Sequence, residues 1–227
     1  MLKSLRSYLR FYRHHSASEL RYARASFSQF GEDLYLVEQF PGKSDGLYVD
    51  VGGFHPIQYS NTYFFYRRGW RGVVVEPQQS LADLHARWRP RDEVVRCAIT
   101  DSEGEADLLL FDGCSGIDDG RYMHTEGKSW LPRTRVRTRR LASVLASSPL
   151  LAGKQIDFLS VDCEGHDEVI LASGDWNRWR PVVVLCEAYT PEKQGVLGTA
   201  MEARGYRQIG KCGPTLVYRD LSSPLIS

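Results

Sequence analysis

The stretch Leu47-Tyr48-Val49-Asp50-Val51-Gly52-Gly53-Phe54-His55-Pro56 most constrains what this chain can fold into. An apolar run ends in an acid, and two glycines then permit a sharp turn. Tyr59-Ser60-Asn61-Thr62 opens an amphipathic stretch directly after it. Strand, turn and helix in that order predict the first unit of a doubly wound parallel sheet, whose ligand crevice lies at the carboxyl ends of the strands.

The glycines narrow the ligand. A dinucleotide fingerprint needs Gly-x-Gly-x-x-Gly to cradle a pyrophosphate. Here Asp50 precedes Gly52 and Gly53, and no third glycine follows at that spacing. A carboxylate aimed into the crevice repels pyrophosphate and accepts hydrogen bonds from a cation or a sugar hydroxyl. The turn therefore favours S-adenosylmethionine over NAD, with Asp50, Gly52, Gly53 and Asn61 as cofactor residues.

A second apolar run, Gly72-Val73-Val74-Val75-Glu76-Pro77, also ends in an acid. In this topology an acid roughly 20 residues beyond the glycines pairs with ribose hydroxyls, and Glu76 stands at that place. A third run, Val94 to Ile99, ends at Thr100-Asp101, where Asp101 is read two ways: as a contact to the adenine or ribose edge, or as part of a plain turn.

The fourth run, Ile156 to Val161, releases Asp162-Cys163-Glu164-Gly165-His166-Asp167 at its carboxyl end. Carboxylates beside a histidine cost stability unless a ligand, metal or proton compensates. His166 is the expected general base, with Asp162 and Glu164 orienting it or the substrate. A variant gathers Asp162, Glu164 and Glu187 around a hard divalent cation such as Mg2+ or Mn2+, which prefers oxygen ligands. Glu187 closes a fifth run, Pro181 to Cys186. The segments 205–211 and 215–219 flank Cys212-Gly213-Pro214 and predict a terminal antiparallel hairpin. The fold class is thus α/β, a mostly parallel doubly wound sheet with helices on both faces.

Between these runs lie segments with two readings. Ser28-Gln29-Phe30-Gly31-Glu32-Asp33 precedes a helical pattern; Gln29 and Glu32 either cap that helix or reach the cofactor. Residues 112–132 are rich in glycine and aspartate at their start. A loop of such length in a compact domain is read as a substrate lid. Arg133, Arg135, Arg137 and Arg139 alternate with Thr134, Val136 and Thr138, which is strand periodicity. They form either a solvated edge strand guarded by charge or a subsite for a phosphorylated or acidic glycan.

Composition bounds the rest. A chain of 227 residues with 42% hydrophobic content supports one sizeable domain, here placed over residues 28–220 with a tail over 221–227. A net charge of +1 gives no global pull toward nucleic acid. The five cysteines are scattered with no Cys-x-x-Cys, which fits a reducing cytoplasm. No apolar run reaches the ~20 residues of a bilayer span, and the start of the chain lacks the apolar core of a signal peptide. Residues 1–27 are basic and amphipathic, with Lys3, Arg6, Arg10 and Arg13 opposite Leu2, Leu5, Leu9 and Tyr12. They are read either as a helix packed on the domain or on a second subunit, giving a homodimer, or as a surface helix in which residues 1–16 touch anionic lipid.

Four motifs together resemble the FkbM family of methyltransferases: Ser28 to Asp33, Val49-Asp50-Val51-Gly52-Gly53, Gly69 to Gly72 leading to Val75-Glu76-Pro77, and Asp157 to Asp167. The resemblance runs from about Ser28 to Tyr218. It implies a class I S-adenosylmethionine-dependent fold that methylates hydroxyls, often on sugars of glycans, glycolipids or natural products. By position it assigns Asp50 and Gly52 to the cofactor turn, Glu76 to the ribose contact, and Asp162, Glu164, Gly165 and His166 to the catalytic strand end. Gly53 stands where the family more often has alanine, and Asp167 where it more often has glutamate. Two rival classes share the general fold: an NAD-dependent sugar oxidoreductase or epimerase, and a non-catalytic adapter of a glycan-assembly complex. The missing third glycine argues against the first, and the intact acid set against the second.

Overall fold

The computed structural model describes residues 25–110, 115–118 and 132–224. The expected amphipathic helix before residue 25 and most of the expected lid lie outside the described residues. After α1 (Glu32–Gln39) come β1 (Leu47–Val51), α2 (Tyr63–Arg67), β2 (Arg71–Val75), α3 (Gln79–Trp88) and β3 (Glu93–Val95). The chain then builds β4 (Ala98–Ile99), β5 (Gly104–Leu110), β6 (Ser115–Ile117) and β7 (Arg133–Arg139). It returns through α4 (Leu141–Ser147), β8 (Phe158–Val161), α5 (Asp167–Ala172), β9 (Val183–Glu187), α6 (Pro191–Glu202), β10 (Tyr206–Cys212) and β11 (Thr215–Asp220).

The larger sheet has the order β10-β11-β9-β8-β1-β2-β3. β3, β2, β1, β8 and β9 run parallel; β11 joins β9 antiparallel, and β10 pairs antiparallel with β11 in the terminal hairpin. The strand order reverses between β1 and β8, so the switch point falls at their carboxyl ends.

The central strands are buried on both sides, which is why they read as continuous apolar runs. Their period of two divides the residues between two cores. Val49, Val51, Val73, Val75, Leu159 and Val161 pack on one face with α4, α5 and α6. Tyr48, Phe158, Leu185 and Val217 pack on the other with Leu36, Phe40, Phe65 and Trp70. The alternation also decides where Asp50 points. It shares the Tyr48 face.

Three sequence expectations need correcting here. The run Val94 to Ile99 is not one strand: it leaves the large sheet after Val95, and β4 joins a second, four-stranded sheet of order β4-β7-β5-β6. Within the stretch expected to be lid, Ser115–Ile117 pairs antiparallel with β5. The arginine strand β7 is not an edge either, since it lies between β4 and β5. Arg133, Arg135 and Arg137 face solvent while Arg139 is half-buried, and carboxylates pair with the row: Asp118 with Arg133, Glu105 and Asp107 with Arg135, and Glu103 with Arg139. Among the described residues no helix is long and apolar enough to cross a membrane.

Candidate active site

A cavity of about 270 Å³ opens at the switch point. Its floor is the carboxyl ends of three parallel strands: Val51 and Gly52 after β1, Val75 and Glu76 after β2, and Asp162 and Cys163 after β8. The second sheet supplies the facing wall through Ala98, Ile99, Leu108, Gly116 and Ile117. Sequence reasoning finds β5 in the run Glu105 to Phe111 but misses the sheet it joins and the wall that sheet makes. β6 is only a Ser-Gly-Ile triplet inside a glycine- and aspartate-rich stretch, too short to show a period.

Gly52 sits in the left-handed region at φ 84°, and a Cβ there would lie 2.0 Å from the Asp162 carbonyl oxygen. Only glycine lets the first turn and the end of β8 approach so closely. Phe54, Tyr59 and Glu164 are the described non-glycine residues with positive φ, at 43°, 58° and 54°. All three line the cavity. Backbone strain of this kind costs about 1–3 kcal/mol per residue and clusters at functional sites.

Glu76 is buried, and each of its oxygens accepts a backbone N–H, Oε1 from Gln78 (2.8 Å) and Oε2 from Phe54 (3.0 Å). Burial pushes its carboxyl up to about 7 despite those two donors. Two donors leave the carboxylate with lone pairs for further donors.

At the end of β8, Asp162 is hydrogen-bonded to Glu187, and burial followed by repulsion from Glu187 raises its carboxyl well above the ordinary range. Glu187 is raised too, by burial, although the Tyr189 hydroxyl donates to its Oε2 at 2.8 Å. Two facing carboxyls removed from water hold a proton between them, because like charges so close cannot both ionise. Glu164 and His166 line the same cavity, as do Gln29 and Tyr189.

The expected metal trio is not assembled. Among the described residues, no group of three or more His, Cys, Asp or Glu side chains stands close enough to hold a metal ion. Glu187 does not line the cavity; it partners Asp162 instead.

Other expected cofactor residues also stand off the cavity wall. Asp50 accepts a hydrogen bond from the Thr62 hydroxyl (2.6 Å), and Thr62 in turn accepts from buried Arg89 (2.9 Å). Its carboxylate therefore serves the far side of the sheet, not the crevice. Asn61 donates to Ser160 Oγ (3.0 Å). Gly53 is packed against Val74 and His85, with room for no side chain. Asp101 is exposed in a turn and borders a separate surface hollow with Arg140 and Glu168. Glu32, whose two readings were open, is tied down by Thr215 Oγ1 (2.9 Å) and the Phe30 N–H (2.8 Å). Asp167 accepts the Glu187 backbone N–H (2.8 Å) and so pins β9 to the start of α5.

The donor set fits an adenosyl sulfonium ligand. Glu76 answers to paired hydroxyls, the apolar slot between Val75, Ile99 and Ile117 to a flat base, and Glu164 with the singly charged Asp162–Glu187 pair to cationic groups. The fold and its crevice are those of a class I S-adenosylmethionine-dependent methyltransferase. Residues 50–208 match the model of the methyltransferase FkbM domain, more than half of the chain, and the chain belongs to that family.

Solved structures with a similar course include the C-terminal domain of precorrin-6Y C5,15-methyltransferase from Rhodobacter capsulatus, 12% identical over 87% of this chain and 91% of that one, with a TM-score of 0.46. A TehB-like SAM-dependent methyltransferase from Corynebacterium glutamicum is 11% identical over 97% and 100%, with a TM-score of 0.45. An O-methyltransferase from Bacillus cereus in complex with SAH is 14% identical over 95% and 89%, with a TM-score of 0.43. At such identities no residue role passes from them to this chain. No curated protein matches it.

Proposed function

We propose that this protein transfers a methyl group from S-adenosylmethionine to a hydroxyl oxygen of a sugar, a glycan or a glycosylated natural product. The observation that carries this reading is the convergence of Glu76, Asp162, Glu164 and His166 on one cavity at the switch point. When bound, S-adenosylmethionine supplies a methyl group made reactive by its positively charged sulfur.

The chain's own residues do the remaining work. Glu76 receives the ribose hydroxyls, with its rotamer fixed by the Phe54 and Gln78 amides. The bare backbone at Gly52 lets the first turn pack on the end of β8 and so shapes the cavity wall. Asp162 and Glu164 face its cationic groups and orient the acceptor. A sugar hydroxyl is a weak nucleophile near neutral pH, so it needs a base within hydrogen-bond reach. His166, buried at the start of α5, takes that proton on a ring nitrogen. Holding both reactants in line supplies much of the rate.

The test is to incubate the purified protein with S-adenosylmethionine and a panel of nucleotide sugars and glycans, and to locate any added methyl by fragmentation mass spectrometry. Methyl on a sugar oxygen supports the proposal. Transfer only to nitrogen, carbon or a non-sugar acceptor overturns it.

A further inference from the structure

The mechanism above makes no use of His85, a fully buried histidine on α3. Its Nε2 lies 3.1 Å from the Gly53 carbonyl oxygen and 3.1 Å from the Phe54 carbonyl oxygen. Carbonyl oxygens only accept, so Nε2 carries the hydrogen and shares it between the two. Nδ1 is then a bare acceptor, and it is buried with no hydrogen-bond partner among the described residues. Leaving a buried polar atom unsatisfied is costly, and a leucine or phenylalanine on this helix face would avoid that cost. The histidine is held here for what its other nitrogen does.

What that nitrogen holds is the strained end of the first turn. Phe54 is in the left-handed region at φ 43°, a conformation L side chains rarely adopt. With its carbonyl tied to His85, the Phe54 N–H points at Glu76 Oε2 (3.0 Å). Gly53 is locked between the Val75 carbonyl, which takes its N–H at 3.2 Å, and the His85 ring, 3.3 Å from where a Cβ would stand. The chain of contacts runs from helix to turn to carboxylate.

We infer that His85 is a positioning residue for cofactor binding: its Nε2–H braces the Gly53–Phe54 turn so that the Phe54 amide fixes the Glu76 carboxylate at the cavity wall. The inference rests on the reading of Glu76 as the ribose contact, and it adds a residue that touches neither cofactor nor acceptor.

Glutamine can place an amide N–H near the position of Nε2, and asparagine falls short of it. His85→Gln is therefore the rescuing variant and His85→Asn the breaking one, both polar and of smaller bulk. Two readouts are needed. The first is amide hydrogen exchange of the segment 53–55 in the free protein, which judges the brace without any ligand. The second is the dissociation constant for S-adenosylmethionine by calorimetry, set beside the KM for the acceptor.

In His85→Asn, exchange at 53–55 speeds up while the strand cores β1 and β2 stay protected. Cofactor affinity falls about tenfold, the worth of one buried hydrogen bond, and the acceptor KM does not move. His85→Gln restores both readings to within a few-fold. Unchanged protection of the turn in His85→Asn overturns the brace. Equal losses in the asparagine and glutamine variants, or loss of protection across the whole sheet, reduce His85 to a packing residue and overturn it as well. Wild-type protein that binds no S-adenosylmethionine brings down the proposed function, while the exchange result still judges the brace.

Discussion

Glu76 shows how one residue can set opposite pH trends for folding and for binding. Its carboxyl ionises near 7 in the folded chain against an ordinary 4.5. Between those values the folded state binds the proton that the unfolded state has lost, so stability without ligand falls as pH rises from about 4.5 to about 7. Hydroxyl donors prefer the ionised form, so affinity for S-adenosylmethionine rises through the same pH of about 7. Glu76→Gln should flatten both trends, read by urea unfolding and by titration across that window. His166 makes the complementary case. His166→Ala should keep cofactor affinity and lose turnover, as measured by single-turnover methyl transfer; normal turnover would remove it from the base role.

Elements explain which parts of this molecule the sequence discloses. β1, β2, β8 and β9 were legible because burial on both faces forces apolar runs, and each carries an acid at its carboxyl end, although only those after β2 and β8 line the cavity. The direction of Asp50 was not, because alternation fixes a face only once the partner helices are known. Nothing in the sequence sets His85 or Arg89 apart, yet both are fully buried. Arg89 joins α3 to β1 through Asp92 (2.7 Å) and the Tyr48 hydroxyl (2.8 Å). Removing one member strands a buried charge, so Arg89→Met should cost about 3–5 kcal/mol in denaturant unfolding. The arginine row of β7 is the contrast. It is open in the sequence to a charge-guarded edge or a glycan subsite, and in the fold it runs beside the carboxylates of β5. Arg135→Ala should leave both the melting temperature and turnover where they were.

At the scale of the whole molecule, two sheets share one cavity. The parallel sheet brings the acids of distant segments to a single rim, and the smaller sheet closes the apolar side against Ile99 and Ile117. Of the second wall, the seven-residue β5 is legible as a strand; its placement there escapes sequence reading because its partners at the cavity, β4 and β6, have only two and three residues. Calorimetric titration of the folded protein with S-adenosylmethionine, in parallel with Glu76→Ala and with NAD as the competing ligand, tests the central claim most directly. The account predicts one saturable site per chain, weakened by about 1.5–3 kcal/mol in Glu76→Ala, and no heat from NAD. Binding of NAD in place of S-adenosylmethionine, or affinity for S-adenosylmethionine untouched by Glu76→Ala, would contradict it.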